Sequence, residues 1–262
     1  NLIFSLLTYL DFSDIVPAFK NGKITLKEAA EKLSDKKKNF RGMFMSNTFK
    51  MLQMMKNTPR YQDVLLYNYM KVVNDDMQFG AMTMRLPDKS IYISFAGTDS
   101  SIIGWEEDFK MTYLYPGASQ KYASIYLNKA ARLLDKNIRI GGHSKGGNLS
   151  ICAAMNTKFW IRKKISTITN FDGPGLLKKE IESKAYKKID SKILMYVPKE
   201  SIIGMLLYNT QDYIVIKSKG LNIFQHDAFN WQCKDTKLIR DTQSKRSKAL
   251  QQKLTKKLEE LS

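Results

Sequence analysis

The sequence predicts an α/β domain. A mainly parallel sheet carries helices on both faces, with a helical region before it and one helix after it. Three observations carry this expectation. Short apolar runs rich in β-branched residues alternate with stretches of helical periodicity, the order that builds a parallel sheet. One of those runs passes through a G-x-S-x-G sequence directly into a small-residue helix. And 262 residues, 43% of them hydrophobic, suffice to bury one large core.

Composition excludes several classes. The chain is too apolar for a disordered protein and lacks collagen or coiled-coil periodicity. Two cysteines, Cys152 and Cys233, cannot form a disulfide framework, so a reducing cytoplasm is the expected compartment. Lys and Arg number 43 against 25 Asp and Glu, a net charge of +18. Such an excess attracts nucleic acid, anionic membranes or acidic ligands. The lysines are scattered and do not alternate with aromatics, and no zinc-finger spacing occurs, so no specific nucleic-acid partner is expected. An anionic membrane surface stays open as a partner. The opening NLIFSLLTYL is apolar for about ten residues, against about 20 for a bilayer span. It has neither a basic n-region nor a small-residue cleavage site. The first residue is Asn rather than Met, which leaves upstream sequence open.

Residues 1 to about 75 read as mostly helical. In Ile24–Leu33, Thr25 stands three residues before Glu28, a capping-box pattern. Arg41–Met55 repeats apolar residues at helical spacing and is rich in Met, which reads as adaptable core filler or as a flexible apolar substrate surface. From Met77 the pattern changes. MQFGAMTMRL, a turn at Pro87–Asp88, and IYISFAG read as a hairpin. Ile138–Ser144, Thr167–Gly173, Lys192–Pro198 and Tyr213–Ser218 read as strands. Ser119–Leu134, Gly146–Asn156 and Leu177–Ala185 read as the helices between them. The tail from about Asp241 is a last helix, with Leu250, Leu254, Leu258 and Leu261 in one stripe on a Lys-rich background. That stripe packs on the domain or another subunit, or lies on a membrane surface. The expected organisation is a helical region over 1–76 packed on the core as a candidate cap, an α/β core over 77–233, and a basic C-terminal helix over 234–262.

Chemistry concentrates at Gly142-His143-Ser144-Lys145-Gly146. An apolar strand precedes it and GGNLSICAAM follows, the strand–turn–helix setting of a nucleophile elbow. The serine has to sit on a strained turn for its Oγ to project above the sheet, and Gly142 and Gly146 remove side chains where strand and helix nearly touch. The helix N-terminus then brings N–H groups and positive dipole to the reacting oxygen. Walker and G-x-G-x-x-G phosphate loops are absent.

Serine at its ordinary pKa needs a base. The chain has two histidines. His143 adjoins Ser144, and the alternating chain direction points it away from Oγ. That leaves His226, in FQHDAFNW after the last strand. The acid that orients it should precede it. Asp172, at a strand end before a GPG turn, is favoured. Glu200 after the next strand is the alternative, with Asp212 and Asp227 behind it. Lys145 reads as solvated or as an attractor of anionic substrate.

Ser94–Phe109 (SFAGTDSSIIGWEEDF) together with GGHSKGGNLS resembles the α/β-hydrolase superfamily, in its class 3 (fungal-type) lipase-like branch. GHSKGGNLS, NFDGPG, VPKESIIGMLL and QHDAFNW more closely resemble an uncharacterised bacterial family of lipase-like hydrolases. The resemblance covers about Leu2 to Trp231. It implies an α/β-hydrolase fold, Ser144 as nucleophile and His226 as base. Thr98 would match the oxyanion-hole Ser/Thr, with the Lys145 N–H as second donor. Two departures stand out. Ala96 replaces the Arg of the lipase F-R-G-[ST] pattern. Ser201 stands where class 3 lipases carry their acid, whereas ITNFDGPG resembles the pancreatic-type lipases, whose acid ends the preceding strand.

The expected activity is hydrolysis of an acyl ester, small-molecule or lipid, with no metal and no cofactor. The competing expectation is a catalytically silent scaffold of the same fold used for binding or regulation. Substrate and oligomeric state are not encoded legibly.

Overall fold

The computed structural model describes residues 1–36, 43–98, 106, 110–111 and 113–260, side chains excepted at 255, 258 and 259. One sheet holds eight strands in sequential order: β1 (Ile24–Thr25), β2 (Leu65–Asn74), β3 (Met77–Arg85), β4 (Ile91–Phe95), β5 (Ile138–His143), β6 (Ile165–Phe171), β7 (Ile193–Pro198) and β8 (Tyr213–Ile216). Pairings from β1 to β4 are antiparallel, and those from β4 to β8 are parallel. The described helices before β5 are α1 (Leu2–Leu7), α2 (Leu26–Asp35), α3 (Met43–Met55) and α4 (Ala118–Ala130). After it come α5 (Lys145–Met155), α6 (Phe159–Lys164), α7 (Lys178–Ile181), α8 (Lys184–Lys187) and α9 (Lys245–Glu260). A two-stranded hairpin, β9 (Cys233–Lys234) and β10 (Lys237–Leu238), precedes α9.

Side-chain alternation on the strands splits the core into two layers. Ile91, Ile93 and Phe95 of β4 pack with Tyr126 and Leu127 of α4 and with Leu149 and Ile151 of α5. Tyr92, pointing the other way, packs with Leu7, Leu10, Phe12 and Leu26 from the N-terminal segment. Both faces of the sheet are therefore covered, as the sequence predicts. With the parallel crossovers and the strand–turn–helix at β5–α5, this is an α/β-hydrolase fold.

Local chemistry places several boundaries. The capping box at the start of α2 is formed: Glu28 N–H donates to Thr25 Oγ1 at 3.1 Å, and Thr25 N–H donates to Glu28 Oε2 at 2.9 Å. The single helix expected over Leu177–Ala185 is two short turns instead. Ser183 interrupts it, because its hydroxyl accepts from Tyr186 N–H at 3.2 Å and starts a new helix.

The stretch before Met77, expected to be mostly helical, is helical over Leu2–Leu7, Leu26–Asp35 and Met43–Met55 and then turns to strand. Leu65–Asn74 is a strand, so the sheet runs across that boundary. A bulge between Tyr67 and Met70 shifts its register, with buried Asn68 at φ +55°. One residue out of step sends the alternation to the opposite face, and this hides the period-2 signal.

The tail helix α9 packs back on the domain. Ser247 Oγ donates to the Ser201 carbonyl at 2.9 Å, and Gln251 donates to the Tyr213 hydroxyl at 3.3 Å. Leu250 and Leu254 are half-buried; the side chain of Leu258, and all of Leu261, lie outside the described residues. Among the described residues no helix is long and apolar enough to cross a membrane.

Candidate active site

Ser144 sits between β5 and α5 at φ +57°, ψ −134°. That conformation is rare for a residue with a side chain and is sustained only by its surroundings. Here Ser144 N–H donates to the Phe171 carbonyl at 2.9 Å, and the Ser144 carbonyl accepts from Gly147 N–H at 2.9 Å. The serine side chain is partly exposed, while its neighbours on both sides are buried.

The favoured acid is held in place atom by atom. Asp172 follows β6, is fully buried and has φ +52°. Its Oδ1 accepts from the Ser201 hydroxyl and from Gly204 N–H, the latter at 3.2 Å. Its Oδ2 accepts from His226 Nδ1 at 2.7 Å. Donors from the protein thus occupy one carboxylate oxygen and leave the other for histidine. With Nδ1 protonated, the His226 Nε2 lone pair is the atom able to take a proton. Among the described residues no hydrogen bond joins Ser144 Oγ to that ring.

Glu200, the alternative acid, does something else. Its Oε2 accepts from Asn222 N–H at 3.2 Å, and its own N–H donates to Gln225 Oε1 at 3.0 Å. It fastens the turn that carries His226. Asp227 caps the next turn through Phe229 N–H at 2.9 Å. Ser201, which stands where the class 3 resemblance would put the acid, is a donor to Asp172.

Lys145 is neither solvated nor an attractor at the surface; both readings of it are overturned. Only 1% exposed, its ammonium donates to the Gln78 carbonyl at 2.9 Å and to Gln78 Oε1 at 3.1 Å. Gln78 Nε2 in turn donates to the Gly97 carbonyl at 3.4 Å. The elbow is thereby tied to the turn bearing Thr98, which is half-buried beside Gly97. A Cβ on Gly97 would come 2.7 Å from the His143 carbonyl, so the two turns are in direct contact. The Lys145 main-chain N–H lies at the start of α5, where helix donors have no intrahelical acceptor. Asp99, Trp105 and the following acidic stretch, which carry part of the lipase-like resemblance, lie outside the described residues except for Glu106.

His143 has its own surroundings, which sequence reasoning missed. Its ring is 2% exposed. It lies 4.6 Å from the His226 ring and 5.9 Å from that of Phe44, centroid to centroid. Nδ1 is 2.9 Å from the Tyr9 hydroxyl, and Nε2 is 2.8 Å from the His226 carbonyl. Burial, then the neighbouring His226, push its pKa down to about 3. A pH dependence of stability follows. In the unfolded chain this imidazole takes a proton near pH 6.5, while the folded form does not. Stability is complete above that range and falls as pH drops from about 6.5 toward 3, by on the order of 1 kcal/mol per pH unit from this group. Urea unfolding at pH 7 and pH 5 should show a steeper loss for wild type than for His143→Gln. Equal losses would contradict the neutral, buried ring.

A family description, Mbeg1-like, matches residues 55–262. The chain belongs to the Mbeg1-like family. Among solved structures, this Mbeg1-like chain is similar to one titled "Crystal structure of M37 lipase", at 16% identity and a TM-score of 0.46. The match covers 78% of this chain and 68% of that one. A search of curated proteins finds no match. Tyr9 and Phe44, which touch the site, precede the matched residues. Among the described residues no group of three or more His, Cys, Asp or Glu could hold a metal ion.

Proposed function

We propose that this Mbeg1-like protein is a serine hydrolase of acyl esters. Ser144 is the nucleophile, His226 the base, and Asp172 the acid that orients it. Thr98 and the Lys145 N–H stabilise the oxyanion. The observation that carries the reading is the 2.7 Å contact between Asp172 Oδ2 and His226 Nδ1 in a chain whose Ser144 stands on a strained strand-to-helix turn. Neither feature is needed to hold a sheet together, and strain of this kind gathers at functional sites.

His226 Nε2 takes the Ser144 proton as Oγ bonds to the ester carbonyl carbon. The carbonyl oxygen becomes an oxyanion beside the Lys145 N–H and Thr98, each such donor being worth roughly 3 kcal/mol. Collapse breaks the ester C–O bond, and the departing alkoxide takes the proton from His226. Water, deprotonated by the same histidine, then attacks the acyl-enzyme and frees Ser144. Asp172 stabilises the imidazolium without taking the proton. The substrate class is an acyl ester, lipid or small molecule. A reducing, cytoplasmic setting goes with this reading, and the two free cysteines support it.

A second reading is a catalytically silent scaffold of the same fold. What favours it is that the His226 ring bonds to Asp172 while, among the described residues, it makes no hydrogen bond to Ser144 Oγ. A fluorophosphonate probe separates the two without a guess about substrate. Intact mass and peptide mapping should find one adduct, on Ser144, absent from Ser144→Ala and strongly slowed in His226→Ala. Well-folded protein that stays unlabelled, with or without detergent, would favour the silent scaffold.

A further inference from the structure

We propose that His143 is a positioning residue, held by Tyr9 in its Nε2–H tautomer so that it fixes the main chain of His226 relative to Ser144. The proposal rests on the serine-hydrolase reading and extends it to residues outside the Ser–His–Asp set.

The argument begins with acceptors. The His226 carbonyl can only accept, so the 2.8 Å contact requires a proton on His143 Nε2. The ring is buried among Tyr9, Phe44, Trp231 and His226, a setting that disfavours a charged imidazole. In the neutral ring Nδ1 then has no proton and accepts. The Tyr9 hydroxyl, 2.9 Å away, is its donor, and the 3.2 Å approach of that hydroxyl to the His143 carbonyl is the longer branch. Tyr9 thereby selects the tautomer. The His226 ring takes the opposite one, because Asp172 accepts from Nδ1.

The consequence is geometric. From outside its own helical turn, His226 is held at two points among the described residues: Nδ1 by Asp172 and the carbonyl by His143. His143 is also the residue before the nucleophile. One side chain therefore links the strand that leads into Ser144 to the backbone of the base. The turn around the base otherwise presents Leu221, Ile223 and Phe224 to solvent and gains little from burial there. During turnover His226 becomes positive, and a second charge on a ring 4.6 Å away would oppose it. The titratable groups against the His143 ring are Tyr9 and His226, with Asp172 and Asp227 beyond the latter.

The test exploits a chain with only two histidines. Long-range 1H–15N NMR of the wild-type protein should show two neutral imidazoles of opposite tautomer at pH 8. The Nε2–H ring should vanish in His143→Gln and should stay neutral from pH 8 down to pH 5. Phosphonylation of Ser144 then reads the positioning. His143→Gln keeps a donor where Nε2 stood and should react within about threefold of wild type. His143→Phe keeps the packing against Phe44 without the donor and should react at least tenfold more slowly. In ester hydrolysis the loss should fall on kcat, with KM little changed. Tyr9→Phe should admit the Nδ1–H form of His143 and slow the reaction several-fold. A wild-type His143 that is Nδ1–H, or that takes a proton above pH 5, overturns the proposal. So does a folded His143→Phe that reacts at the wild-type rate. If wild-type protein is not phosphonylated at all, the hydrolase reading falls and the positioning role with it. The tautomer spectrum distinguishes that outcome from a missing tether.

Discussion

Asp172→Asn should lower the turnover number about 10⁴-fold while the protein stays folded. The size follows from how the carboxylate is held. Ser201 and Gly204 both donate to Oδ1, so an asparagine would turn its carbonyl oxygen toward them and its NH2 toward His226. Nδ1 would then have to accept, the proton would move to Nε2, and the ring could no longer take the Ser144 proton. Ser201→Ala, which leaves the carboxylate with one fewer donor, should cost about tenfold. Glu200→Gln keeps an acceptor for Asn222 N–H and should change turnover less than about threefold. Ester hydrolysis and Ser144 phosphonylation read all three variants. If Asp172→Asn keeps more than a tenth of the activity, Asp172 is not the acid. If Glu200→Gln carries the large loss, Glu200 is.

Local pattern made much of the fold legible. The parallel strands β5 to β8 are short β-branched runs between helical stretches, and the hairpin β3–β4 has its turn at Pro87–Asp88. The G-x-S-x-G stretch is visible because Gly142, Ser144 and Gly146 alternate within one short run of the chain. β2 escaped because a bulge at Asn68 breaks the alternation on which strand recognition depends. The two short turns α7 and α8 read as one helix because a serine cap leaves hydrophobic spacing almost unchanged.

Candidates for the site stood out where one residue type had few rivals, as with two histidines, one of them beside Ser144. The site was not legible where the decisive partner is far away in sequence. Lys145 reads as solvated because lysine almost always is, and the Gln78 carbonyl that satisfies it lies 67 residues earlier. Tyr9 meets His143 across 134 residues, and no local pattern announces such a contact. Ser201 looked like a vacant acid position, whereas in three dimensions it supports the carboxylate that follows the neighbouring strand. A motif announces a candidate nucleophile, but only tertiary packing shows which groups surround it.

Gly146→Ala should be among the most damaging of the small substitutions at the elbow, costing more than about 3 kcal/mol of stability or preventing folding. An added Cβ would overlap the Phe95 carbonyl and stand 3.0 Å from the Ala96 carbonyl carbon. All of these are backbone atoms of β4 and its end, so no rotamer change relieves the clash. Either α5 withdraws from the sheet or β4 shifts, and the second movement carries Gly97 and Thr98 with it. Gly117→Ala is the matching control: among the described residues its Cβ would meet only Gln120 Oε1, at 3.8 Å, and its φ of −70° suits any residue. That change should stay within about 1 kcal/mol. Urea denaturation reads both. A Gly146→Ala protein as stable as wild type would mean that strand and helix are farther apart than the elbow requires. A partly folded one, assayed with the fluorophosphonate probe, should lose reactivity beyond its loss of folded fraction, because the same clash displaces the turn that carries Thr98, the proposed oxyanion donor.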